Sequence, residues 1–180
     1  MRARRLFLLG FAAALLTAFG CSSGTNPAQL ACSDGGAAAN AVTMTCGGAT
    51  NSTTEQVDVV MGGPASGSTT LRGLNFDVTY VTSNLEFVPA ASFTSPLFPG
   101  ALVAVTLFNG QQGRVVVSIQ QPGGLPDVAV GADPQVVLSL SFRSVAGVTF
   151  GSTALTFANA ETTAASTAIS FLSGLALSYQ

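Results

Sequence analysis

Histidine, lysine and tryptophan are all missing from this 180-residue chain. Without histidine there is no imidazole to act as base in a serine or cysteine triad, and none to ligate a metal. Without lysine there is no amine nucleophile. No arginine stands near Cys32 or Cys46 in the sequence to hold either as a reactive thiolate. Paired carboxylates are the remaining enzymatic option, and glycoside hydrolysis needs two of them held roughly 5–10 Å apart. The eight acidic residues are instead scattered beside strands and turns, where solvating residues belong. The sequence therefore predicts no catalytic residues and no enzyme.

Charge is scarce as well. Only 8% of residues are charged, and beyond residue 20 three arginines (Arg72, Arg114, Arg143) stand against eight carboxylates, a formal charge of −5. Nucleic-acid binding requires clustered cations that displace counterions from phosphates, so a nucleic-acid partner is excluded. Apolar residues make up 48% of the chain, which separates it from polar sequences that stay unfolded for want of a core.

What is present starts at the N-terminus. Arg2, Arg4 and Arg5 precede an apolar run from Leu6 to Leu16, and small residues lead to Cys21. Residues 1–20 read as an export signal, because such a run is too short to cross a hydrocarbon layer of about 30 Å. Ala18-Phe19-Gly20-Cys21 resembles a bacterial lipoprotein cleavage site, with alanine where leucine is usual, and the same residues offer a small-x-small site to ordinary signal peptidase. Cysteine parity favours lipid on Cys21. The chain has three cysteines, and once Cys21 is lipidated, Cys32 and Cys46 are free to pair in an oxidising compartment. That bridge would close a loop of roughly 15 residues, worth about 3 kcal/mol in the chain-entropy model. The expected location is the cell envelope, as an outer-membrane lipoprotein facing the periplasm or the cell surface, with the lipid its only membrane contact.

Residues 21–54 are rich in Ser, Gly, Ala, Thr and Asn and read as a lipid-anchored flexible linker, either stapled within itself by Cys32–Cys46 or packed onto the domain. Asn51-Ser52-Thr53 matches a glycosylation sequon, a chance match behind a bacterial signal. Residues 55–180 have the length of one domain and a period of two. Leu74, Phe76, Val78 and Tyr80 alternate with polar residues, as do Val115, Val117 and Ile119; Val136, Leu138, Leu140 and Phe142 alternate with Val137, Ser139, Ser141 and Arg143. Further strands fit Gln56–Met61, Ala101–Phe108, Ala154–Phe157 and Ile169–Tyr179, the last broken at Gly174. Asn109-Gly110 reads as a hairpin tip. With no sustained amphipathic helix, the fold class is all-β, an antiparallel sandwich of jelly-roll type. Asp127 and Asp133 share a loop, but two carboxylates without a recognised spacing read as turn formers, so no metal and no cofactor is expected. Tyr179 is the one exposed aromatic candidate, while Phe93 and Phe98 read as a cap on the sandwich.

Three stretches together resemble the cohesin family, the β-sandwich modules that hold dockerin partners in cellulosome-like assemblies. They are Gly73–Tyr80 followed by Leu85-Glu86-Phe87-Val88, then Gln135–Phe142, then Ala154–Glu161 followed by Ile169–Gly174. The resemblance covers Gln56–Tyr179. It implies a jelly-roll-like sandwich of about nine strands, no chemistry, and recognition of a protein partner, dockerin-like in type, on one sheet face. Where cohesins carry an acidic residue after the strand tyrosine, this chain has Val81, so the family's partner contacts are not carried over. The rival expectation is a polysaccharide-binding module, working by hydrogen bonds rather than by ring stacking.

Overall fold

A computed structural model describes residues 29–64, 68–108, 113–147 and 151–179. The export signal, Cys21 and the Asn109-Gly110 tip lie outside the described residues. The strands are β1 (Leu30–Ser33), β2 (Ala41–Asn51), β3 (Thr54–Met61), β4 (Thr69–Leu71), β5 (Gly73–Thr79), β6 (Leu85–Val88) and β7 (Leu102–Leu107). They continue with β8 (Arg114–Gln120), β9 (Val128–Val130), β10 (Gln135–Ser144), β11 (Gly151–Thr163), β12 (Ser170–Leu172) and β13 (Leu175–Tyr179). One sheet runs β1-β13-β11-β5-β8-β7, the other β12-β2-β3-β10-β6, and β4 pairs with β9 in a small ribbon. All pairings are antiparallel except β12 on β2. The all-β sandwich expected from the period-2 pattern is the observed architecture.

The alternation explains why the two sheets stack. Leu74, Phe76 and Val78 of β5 and Val115, Val117 and Ile119 of β8 all point inward and are buried. They meet Val57, Val59 and Met61 of β3 and Leu140 and Phe142 of β10 in one continuous core. Burying side chains of this kind contributes about 1.5–3 kcal/mol each, which sets the orientation of every strand that carries them. Phe76 packs edge-on to Phe157 with ring centroids 5.4 Å apart.

Two expectations are corrected in detail. Alternation predicts Val137 on the water-facing side of its strand, yet it is fully buried beside Leu138. The β3–β10 register shifts between Val136 and Leu138, so Val137 is the extra residue of a bulge and the simple alternation breaks there. Ile169–Tyr179 is broken at Gly174 as expected, but its two halves belong to different sheets, β12 to the five-stranded one and β13 to the six-stranded one.

The larger correction concerns the linker. The sandwich begins at Leu30 rather than at residue 55, because β1 pairs with β13, and β2 lies between β12 and β3. Val42 and Met44 are part of the core. The Ser/Gly/Ala/Thr composition hid a strand whose small side chains fit a closely packed sheet. Cys32 and Cys46 form a disulfide with Cα atoms 5.8 Å apart. It joins β1 to β2 and so ties one sheet to the other. Asp34 supports the staple: its carboxylate accepts the Cys46 N–H at 2.6 Å and the Gly36 N–H at 2.7 Å. Cys32, Asp34 and Cys46 cluster closely enough to suggest a metal set, but the disulfide consumes both sulfurs. The Asn51 side chain accepts the Thr53 N–H at 2.9 Å, so the sequon residues build the turn from β2 into β3.

Candidate functional site

The six-stranded sheet turns one face to the core and the other outward, and the outward face carries a fixed polar array. The register sets Thr79 beside Arg114, Asp77 beside Val116 and Asn75 beside Ser118 on β8. On the other side β11 brings Thr156 to Thr79, Ala158 to Asp77 and Glu161 to Asn75. These residues share a face because side chains alternate along each strand.

Asp77 is the centre of the array and only 3% exposed. Its Oδ2 accepts Arg114 Nε at 2.8 Å, forms the ion pair with Arg114 Nη2 at 2.5 Å and accepts Asn159 Nδ2 at 2.6 Å. A carboxylate buried this deeply requires such partners, since an unpaired one would cost several kcal/mol. Asn159 reaches it because β11 departs from its register between Ala158 and Glu161, and Asn159 takes a φ of 47° there. A bulge that re-aims one side chain is a common device beside functional surfaces.

Around this centre the remaining polar side chains hold one another. Ser118 Oγ donates to Asn75 Oδ1 at 2.7 Å, and Asn75 Nδ2 donates to Glu161 Oε1 at 3.0 Å. The Thr79 and Thr156 hydroxyls meet at 2.5 Å. Gln120 Nε2 donates to Thr163 Oγ1 at 3.2 Å. The Arg114 guanidinium also lies 4.5 Å from the Phe108 ring centroid, a cation–π contact at the margin of the array. The face is therefore ordered before any partner arrives, and its chemistry is hydrogen bonding and charge.

The opposite sheet presents a smaller network. Ser139 Oγ donates to Asp58 Oδ1 at 2.6 Å, and Gln56 Nε2 donates to the same oxygen at 2.9 Å. Gly47, at a bulge of β2, leaves room for that carboxylate; a Cβ there would lie 2.8 Å from Asp58 Oδ1. A shallow groove beside it is lined by Gln56, Ser92, Phe93, Ser139 and Ser141. Phe93 stacks on Phe87 at 6.3 Å and is half-buried, so it offers no free platform for a sugar ring.

The other residues singled out from the sequence fall as follows. Tyr179 is 5% exposed, not an outward platform, because it lies on the core side of β13 with Leu175 and Leu177. Burial pushes its phenol up to about 12. Tyr80 sits edge-on to Phe142 at 5.3 Å, its phenol raised by burial, an effect the Phe87 backbone hydrogen bond opposes and the Glu86 charge adds to. Phe98 is buried in the core, whereas Phe93 is half-buried against it and lines the groove. Asp127 pairs with Arg72 at 2.8 Å, and Asp133 is exposed. Reasoning from the sequence missed Asp77, Arg114 and Asn159 as a group, since only the strand pairing brings them together.

No protein-family model matches the chain, and no curated protein does either. Solved structures do. The CaCohA2 chain of Clostridium acetobutylicum, solved in complex with CaDoc0917, is 17% identical over 74% of this chain and 96% of its own, with a TM-score of 0.52. The sixth cohesin of scaffoldin B from Acetivibrio cellulolyticus, solved with a Cel5 dockerin, is 13% identical over 75% of this chain and 95% of its own, with a TM-score of 0.54. The chain has the cohesin-type sandwich fold.

Proposed function

We propose that this protein is a non-catalytic binding module that holds a dockerin-like protein partner on the outer face of its six-stranded sheet. The observation that carries this reading is the ordered polar array centred on Asp77, Arg114 and Asn159. Side chains already fixed by their neighbours lose little freedom on binding, which is how a polar face gains affinity for a protein of complementary shape and charge. The fold shared with cohesins solved alongside their partners supports the same reading. The hydroxyl-lined groove on the opposite sheet lacks an aromatic platform and does not favour a polysaccharide.

The module is displayed on the cell envelope by lipid on Cys21. Eight residues separate Cys21 from Leu30. At about 3.3–3.6 Å per residue, that span holds the sandwich within roughly 30 Å of the anchor. Mass spectrometry of the mature N-terminus tests this part by itself; an unmodified Cys21 would refute the lipid.

Calorimetric titration against purified dockerin modules encoded in the same genome tests the binding. Ser118→Arg places a bulky charge in the middle of the array and is expected to weaken binding by on the order of a hundredfold. Gln56→Arg, on the other sheet, is expected to leave it unchanged. Dockerin binding that ignores Ser118→Arg, or binding of soluble polysaccharide with no dockerin bound, overturns the proposal.

A further inference from the structure

The edge of the six-stranded sheet carries a second interaction surface, bordering the polar face. Among the described residues, β7 ends the sheet and no strand pairs with its far side. Proteins protect such edges with charge, proline, glycine or short length. The other edges follow that rule. β12 has three residues, β6 carries Glu86 in an ion pair with Arg143, and β1 has four residues and is tied down by the disulfide. By contrast β7, Leu102-Val103-Ala104-Val105-Thr106-Leu107, contains no charge, proline or glycine. It also holds the greatest concentration of exposed apolar side chains: Leu102 is 71% exposed, and Leu107 and the adjoining Phe108 are each 44% exposed.

The backbone says which groups face outward. Phe108 donates its N–H to the Arg114 carbonyl at 3.1 Å, so Phe108 and, by alternation, Thr106, Ala104 and Leu102 direct their backbone groups toward β8. Val103, Val105 and Leu107 direct theirs to the open edge. Any strand that adds there must match this spacing.

A second copy of the same strand does. We propose that two copies of this chain associate through antiparallel pairing of β7 with β7, on a two-fold axis at Val105. In this register Val105 faces Val105 of the second copy, Val103 faces Leu107, Ala104 faces Thr106 and Leu102 faces Phe108. Every outward N–H and C=O of Val103, Val105 and Leu107 finds a partner; Leu102 and Phe108 cover each other on the outer face, and Leu107 packs on Val103 of the second copy on the inner face. Moving the axis to Ala104 strands the backbone groups of Leu107 beyond the end of the ladder and sets Phe108 opposite Gly100. The strand is uncharged, so self-pairing brings no like charges together. The product is one continuous sheet of doubled width, with both polar faces on the same side. A partner with two binding segments would then engage both faces at high effective concentration.

Sedimentation equilibrium tests this on the full chain carrying Cys21→Ser, so that lipid cannot drive clustering. The expected result is a reversible dimer. Val105→Pro removes an edge N–H that points away from β8, so the β7–β8 ladder survives while the seam loses its centre. Ala104→Lys combined with Thr106→Lys alters two exposed positions and sets like charges opposite each other across the seam. Each change is expected to weaken association by on the order of a hundredfold while far-ultraviolet circular dichroism stays that of the parent. A parent chain that is monomeric into the millimolar range overturns the inference. So does a dimer that persists in the folded lysine variant.

Discussion

Two buried carboxylates in this sandwich are treated in opposite ways. Asp77 takes Arg114 and Asn159 as partners and anchors the polar face. Glu55 is 4% exposed, points inward at the end of β3 with Val57 and Val59, and takes part in none of the ion pairs among the described residues. Burial alone raises its carboxyl above the ordinary value of 4.5. The folded chain therefore binds this proton more tightly than the unfolded chain does. Between 4.5 and the raised folded value the native state holds more protons, so stability falls as pH rises through that window. Glu55→Gln, which cannot ionise, is expected to be more stable than the parent at neutral pH. Chemical denaturation at a series of pH values checks it: the gap between the two proteins should close as pH falls toward 4.5. A gap of constant size would mean that the Glu55 charge has no part in it. The sequence hides this distinction, because both residues occupy alternating strand patterns and only the pairing of neighbouring strands separates them.

At the scale of elements, legibility follows the size of the inward side chains. β8 spans Arg114–Gln120, the same residues that alternation marks out, because valines and an isoleucine alternate there with polar groups. β2 carries the same rhythm in Val42-Thr43-Met44-Thr45-Cys46, but alanine, glycine and threonine on either side dilute it. β11 runs to Thr163, well past the expected Phe157, and the bulge that aims Asn159 is the place where the alternation is lost. The polar array was legible only as separate outward positions; its assembly depends on Asp77 meeting Asn159, 82 residues away. The disulfide shows what the overlooked strands contribute. It links β1 to β2 over a sequence separation of 14. Replacing both cysteines by serine is expected to cost about 3 kcal/mol, the loop-closure value for such a span. Urea unfolding would show this as a lower midpoint with the fold retained. An unchanged midpoint would mean that the packing of β1 and β2 holds the two sheets together without the covalent link.

For the whole molecule, the question is where the folding unit begins, and the two candidate boundaries lead to different outcomes. Composition places it at residue 55, while strand pairing places it at Leu30. Cutting at 55 would remove β1 and β2 together, strip β12 of β2, its one strand partner among the described residues, and turn β3 into a sheet edge. It would also strip Leu30, Val42 and Met44 from a core that includes Val57, Val59 and Leu177. Losing these buried side chains at about 1.5–3 kcal/mol each removes an amount comparable to the 5–15 kcal/mol by which a domain of this size is stable, and two strands of backbone pairing go with them. A chain of residues 29–180 is therefore expected to unfold in one cooperative thermal transition, whereas residues 55–180 should show no transition and no near-ultraviolet dichroism. A cooperative transition in the shorter chain would restore the boundary at 55 and make β1 and β2 an accessory layer. The outcome also bears on display. If the fold starts at Leu30, the eight residues after Cys21 are all the slack the module has. A lipidated copy would then present its polar face close to the membrane surface rather than at the end of a long tether.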